Sequence, residues 1–274
     1  MGRIKYYWDG DRKGRAETAK KRTLDMTHKY KEDIAYARKN SHIYTGNTRV
    51  PHPLYRENMP IYLWDIGSVE AIFKARKTFG NGTICVLNFA SYKNPGGGFL
   101  QGSRAQEECL CQSSYLYNVL REFDYYYDWN NKHLNRAMYE NRAIFSPHIM
   151  FEQGEDQEFV NVITCAAPNL TPNKKYGYGI TAEENSKILE SRIKFVLDIA
   201  AREQVDTLIL GAFGCGVFGQ DATEVITLFN KYLASERKNF KQIIYAIPDS
   251  IHGDNYQKAV KVFKELEKKK EKAE

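Results

Sequence analysis

Gly96-Gly97-Gly98 is followed, after a seven-residue spacer, by Gln106-Glu107-Glu108. Glycine lets a ligand come against the backbone itself, and successive N–H groups can form a nest for phosphate oxygens. Acidic residues are common as plain helix starters near the positive end of the dipole, but Glu107 and Glu108 differ by sitting a few residues from such an anion-cradling loop. Adjacent residues on a helix point about 100° apart, so Glu107 and Glu108 can both face a cleft only from the helix tip. A second glycine loop, Gly211 to Gln220, contains Gly214-Cys215-Gly216-Val217-Phe218-Gly219. This is formally a G-x-G-x-x-G pattern, but no acidic residue ends a strand about 20 residues further on, as a dinucleotide fold requires. A phosphate-gripping loop leading into a helix N-terminus fits better. Two glycine loops closing on one ligand point to a nucleotide diphosphate, with Phe218 either against a ribose or base or packed inward.

Each loop leaves a short apolar run, residues 84–90 and 207–210, that reads as a buried strand. Further strands are expected at 143–149 and 159–165, joined by a polar hairpin at 152–158, and at 242–247. Helices are expected at 12–39, at 69–77 with Ser68 as cap, and at 106–121. Another starts from the Thr181/Glu184 capping box and runs to 201, with two more from 221 and after 254. Residues 47–60, with three prolines, read as loop, and the aromatic cluster at 125–129 as a packed or surface loop. Strands alternating with helices imply an α/β fold with a sheet covered on both faces; the hairpin makes it mixed.

Composition narrows the class. The chain has 274 residues, 42% hydrophobic and 27% charged, as in globular proteins. It has no apolar run near the roughly 18 residues of a membrane span and no secretory apolar core at its start. Five cysteines, at 85, 109, 111, 165 and 215, fit reduced thiols in a cytoplasmic protein. The six histidines show no ligand spacing, and Cys109-x-Cys111 alone is no zinc site, so neither metal nor cofactor is expected. The formal net charge is +6, concentrated in residues 1–50, where 13 Lys/Arg face 6 Asp/Glu. A basic arm of this kind is either a solvated helical face or a surface for a polyanion.

Taken together, Asn88-Phe89-Ala90-Ser91, Asn94-Pro95-Gly96-Gly97-Gly98 and Gln106-Glu107-Glu108 resemble the signature of bacterial-type poly(ADP-ribose) glycohydrolases, divergent members of the macrodomain superfamily. The likeness continues through residues 145–147, 162–169 and 211–219, and covers roughly 15 to 260. It implies a macrodomain-like mixed sheet sandwiched between helices. The expected division is a basic helical N-terminal extension packed on the core (1–60), a catalytic core (61–262) and a charged tail (263–274). It further implies Glu108 as general acid/base and Glu107 as the residue fixing the ribose hydroxyls. Asn94, Gly96, Gly97, Gly98 and Gln106 would bind substrate from loop one, and Gly214, Cys215, Gly216, Val217, Phe218 and Gly219 from loop two. Ser91 stands where ADP-ribose-binding macrodomains usually carry an asparagine, in keeping with the glycohydrolase branch. The implied partners are poly(ADP-ribose) or ADP-ribosylated macromolecules, with ADP-ribose as product, no membrane, and a monomeric protein. Two other readings stay open, a non-catalytic ADP-ribose-binding module and a hydrolase of mono-ADP-ribosylated protein or nucleic acid.

Overall fold

The helix-forming run at the start of the chain folds as two helices in the computed structural model, which describes residues 10–46, 59–235, 239–250 and 253–271. They are α1 (Arg12–Lys29) and α2 (Lys31–Asn40), broken at Tyr30, whose φ/ψ of −122°/35° is not helical. The Tyr30 ring packs on Tyr115 at 5.6 Å and its hydroxyl bonds Glu152 at 2.6 Å. These tertiary contacts outweigh the local helix preference of the run.

The chain continues through β1 (His42–Thr45), β2 (Ile61–Trp64), α3 (Ser68–Phe79) and β3 (Ile84–Phe89). Next come α4 (Gln106–Gln112), α5 (Leu116–Leu120), α6 (Asp124–Lys132), β4 (Arg142–Gln153) and β5 (Asp156–Cys165). It ends with α7 (Thr171–Tyr176), α8 (Ala182–Arg202), β6 (Thr207–Leu210), α9 (Ala222–Ser235), β7 (Gln242–Ala246) and α10 (Asn255–Glu271). Most of the expected loop at 47–60, residues 47–58, lies outside the described residues. No described helix is long and apolar enough to cross a membrane.

Seven strands form one mixed sheet in the order β1-β4-β5-β3-β6-β7-β2. The β1/β4 and β4/β5 pairs are antiparallel and the others parallel. Alternation along each strand feeds two cores. Ile84 and Val86 of β3 and Ile244 of β7 join residues of α1 to α6 on one face. Cys85 and Leu87, with Ile243 and Tyr245, join α8, α9 and α10 on the other. The expected sheet covered on both faces is therefore present.

Several local expectations need correction. The helix expected over 106–121 is two, because the Ser114 hydroxyl accepts from Leu116 N (3.0 Å) and donates to Leu110 O (2.7 Å), offering the backbone another partner. Ser114 also bridges to Phe151 of β4. The 125–129 cluster is helical, within α6, with Tyr126 and Tyr127 buried and Tyr125 exposed. Ser68 is not a cap: Gly67 holds that position, and the Ser68 hydroxyl accepts from Gln106 Nε2 at 3.2 Å. Thr181 caps α8 as expected, accepting from Glu184 N at 3.1 Å, but the Glu184 carboxylate bonds Arg136. The short strands β1 and β2 lie outside the expected set of strands.

The central strands open a crevice. β3 pairs with β6 only from Ile84 to Val86, and with β5 as far as Phe89. Loop one then carries the chain to α4 on one face, and loop two carries it from β6 to α9 on the other. Adjacent parallel strands whose connections leave to opposite faces form the usual ligand crevice of α/β sheets.

α1 braces loop one. Arg12 Nε donates to Gln101 O (3.1 Å) and Arg15 Nε to Gly102 O (2.9 Å). Gly102 has φ +71°, and a Cβ there would lie 2.1 Å from the Arg12 carbonyl oxygen, so only glycine allows this approach.

Candidate active site

Loop one folds back on the start of α4. Gly96 and Gly97 have φ of +65° and +59°, which glycine adopts without strain. The bend turns the loop backbone toward both glutamates. Glu108 Oε1 accepts from Gly98 N (2.8 Å) and its Oε2 from Ala105 N (2.9 Å). Glu107 Oε2 accepts from Ser91 N (2.7 Å), and its Oε1 from Asn88 Nδ2 (3.2 Å), which also reaches Thr164 Oγ1 (3.3 Å). A Cβ on Gly97 would lie 2.7 Å from Glu108 Oε1 and 2.9 Å from Glu107 Oε2. Both carboxylates therefore converge on one stretch of bare backbone at the helix tip.

Their surroundings differ from those of ordinary surface glutamates, since Glu107 is 3% and Glu108 6% exposed. Burial, reinforced by the neighbouring Glu108 charge and opposed by the bonds from Ser91 and Asn88, pushes the Glu107 carboxyl up to about 8. The native state thus keeps a proton that the unfolded chain, at the ordinary 4.5, gives up. Stability from this group is greatest below the unfolded value and falls as pH rises toward the folded one, at a limit of about 1.4 kcal/mol per pH unit. Thermal unfolding of the wild type and Glu107→Gln across this range should show the wild type losing stability relative to the variant as pH rises. Parallel profiles would refute the protonated carboxyl.

Gln106 has its amide fully engaged. Its Oε1 accepts from Phe89 N (2.8 Å) and its Nε2 donates to Leu87 O (2.8 Å) and Ser68 Oγ. Phe89 N and Leu87 O are backbone groups of β3 beyond the point where β6 pairs with it. Gln106 therefore clips α4 to the strand end and sets the position of the two glutamates that follow. Asn94 heads loop one, its N–H bonding Ser91 Oγ (3.2 Å) and its carbonyl accepting from Gly97 N (3.1 Å).

Loop two lies across the crevice. Gly214 (φ +76°) passes so close to Ala167 that a Cβ would lie 2.6 Å from the alanine methyl. Gln220 holds the base of the loop through Pro168 O (2.8 Å) and a reciprocal amide pair with Asn185 (3.0 and 2.9 Å). Between these anchors Gly216 and Val217 are exposed. The N–H groups of Gly216, Val217 and Phe218 bond no acceptor among the described residues, leaving donors suited to an anion ahead of α9. Phe218 is half-buried, edge-on to Tyr139 at 6.0 Å. Burial raises the Cys215 thiol to about 12, with the Asp221 charge adding to it, which leaves no reactive thiolate in this loop.

A family model described as microbial-type PARG, catalytic domain, matches residues 12–153, a stretch that includes loop one and both glutamates. The chain belongs to the microbial-type poly(ADP-ribose) glycohydrolase family. Solved glycohydrolases extend the likeness beyond that stretch. The Thermomonospora curvata enzyme bound to the inhibitor ADP-HPD superposes with a TM-score of 0.77 at 26% identity, over 91% of this chain and 99% of that one. The Deinococcus radiodurans enzyme in complex with ADP-ribose gives 0.73 at 26% identity, over 85% of this chain and 98% of that one. No curated protein matches the chain.

The residues that hold Glu107 carry little signal of that role in the sequence: Asn88 and Thr164 stand there only inside the stretches that carry the family resemblance. The available signal was a polar residue near the end of the apolar β3 run.

Proposed function

We propose that the chain hydrolyses the ribose–ribose O-glycosidic bond of poly(ADP-ribose) and releases ADP-ribose. The observation that carries this reading is the convergence of the Glu107 and Glu108 carboxylates on the Gly97 backbone at the head of the crevice. A module that only holds ADP-ribose has no need of two buried carboxyls there.

In this reading the terminal ADP-ribose lies along the crevice, its diphosphate held by the N–H groups of loop two and the N-terminus of α9. Glu107 fixes the ribose hydroxyls at the scissile bond. As the glycosidic C–O bond breaks, Glu108 gives its proton to the departing oxygen and an oxocarbenium-like centre forms. Water adds to that carbon and returns a proton to Glu108, which restores the acid. Most glycosidases use two separated carboxyls for these tasks. Here one acid/base suffices if the ligand's own diphosphate stabilises the cationic carbon.

The test is incubation with defined poly(ADP-ribose) and chromatographic separation of the products. Free ADP-ribose is expected. A protein that binds ADP-ribose tightly yet releases none from the polymer would be a reader or a hydrolase of another linkage.

A further inference from the structure

A pocket of about 510 Å³ opens beside the carboxylates, on the β5 side of the crevice. One wall is Ser91 and Lys93, at the head of loop one; Ser91 is the residue whose N–H holds Glu107. Phe218 of loop two forms the opposite edge, and Arg136, Tyr139 and Tyr178 complete the lining used here. We propose that this pocket receives the nucleoside-diphosphate unit on the departing side of the scissile bond. The inference rests on the glycohydrolase reading and adds a second subsite to it.

Position is the first argument. With the terminal diphosphate on loop two, after β6, and the reacting carbon at Glu107 and Glu108, the terminal unit occupies the β3/β6 side. The departing chain then leaves across Ser91 toward β5, where this pocket lies.

Chemistry is the second. The departing unit carries a purine and two phosphates. Tyr178, 41% exposed, and the half-buried Phe218 give aromatic surface for a base, while the exposed Lys93 supplies positive charge at the rim, beside Arg136, which is paired with Glu184. α7, which brings Pro172 to the pocket, also carries the exposed Lys174, Lys175 and Tyr176, and Tyr176 stacks on Tyr178 at 6.0 Å. Cations interleaved with exposed aromatic rings are the usual equipment for a flexible nucleotide polymer.

The backbone is the third. Asn135, Arg136, Ala137 and Tyr139 have φ of 45°, 51°, 65° and 61°, four left-handed non-glycine residues within five positions. Such conformations persist only where the surroundings impose them, and they gather at ligand sites. Arg192 of α8, 1% exposed, braces this loop and its flanks. It donates Nη2 to Met138 O (3.3 Å), Nε to Asn141 Oδ1 (2.7 Å) and Nη1 to Ala166 O. Asn169 N adds a bond to Ala137 O at 2.9 Å. A buried guanidinium that ties Met138 O of this loop to Asn141 and to Ala166 O after β5 helps shape the wall that presents Arg136 and Tyr139.

The test compares two leaving groups on the same anomeric carbon, the polymer itself and a p-nitrophenoxy group on ADP-ribose. Lys93→Ala/Tyr178→Ala alters two exposed side chains. It should lower kcat/KM on the polymer about tenfold more than on the nitrophenyl substrate, mainly through KM, with a reduced salt dependence on the polymer. Equal losses on both substrates, or none on either, would overturn the subsite. A wild type that cleaves neither would instead overturn the glycohydrolase reading, and the subsite with it.

Discussion

Glu108→Gln should slow ADP-ribose release by about a hundredfold or more, the usual worth of a positioned general acid. The amide keeps the size of the side chain but cannot deliver the proton. One structural cost accompanies it. Both Glu108 oxygens accept backbone N–H groups, from Gly98 and Ala105, and an amide offers only one oxygen. Losing one such bond costs about 1 kcal/mol, enough to lower the unfolding temperature by a few degrees but not to abolish folding. ADP-ribose titration by calorimetry should therefore still show binding while polymer cleavage is lost. If kcat stays within about threefold of wild type, the acid is another group, and the buried Glu107 carboxyl is the nearest to take the role.

Gly97→Ala is the second large effect, and it reaches the chemistry without touching an ionisable group. The added methyl falls inside contact distance of one oxygen of each glutamate, 2.7 Å from Glu108 and 2.9 Å from Glu107. Those atoms are side-chain ends, so they can yield. They can do so only by leaving Gly98 N and Ser91 N, the bonds that aim them. The residue also has φ +59°, which costs alanine roughly 1 kcal/mol. Activity should fall by about a hundredfold or more, because small misplacements of catalytic groups are that expensive. The loss of stability should stay near 1–2 kcal/mol. Activity within tenfold of wild type would mean that the carboxylates need not converge on this backbone.

The parts legible in the sequence were those with strong local signals. The apolar runs of β3, β6 and β7, the polar hairpin turn between β4 and β5, and Thr181 at the head of α8 all follow from residue type and period. What escaped depends on distant partners. Nothing near Tyr30 in sequence announces Glu152 or Tyr115, and nothing near Ser113 and Ser114 announces β4. The Ile61–Trp64 run is short and follows a proline, so its strand character becomes plain only beside β7. In the site, the spacing of glycines and glutamates placed them at one helix tip but said nothing of Gln106 turning inward to β3. Glu107 owes its raised carboxyl to the packing of α4, Asn88 and Ser91, which no single segment encodes.

The place of β3 in the sheet has a consequence for how the protein comes to exist. Its neighbours are β5, about 75 residues later, and β6, more than 120 residues later. Contacts of such separation form slowly, since loop closure must precede them. A ribosome delivers Glu107 and Glu108 long before it delivers β6 and loop two. Until then β3 has an unpaired apolar edge, the kind that recruits other chains. Catalytic competence is therefore a late event of synthesis, and the nascent chain is at its most vulnerable to aggregation just before the crevice closes.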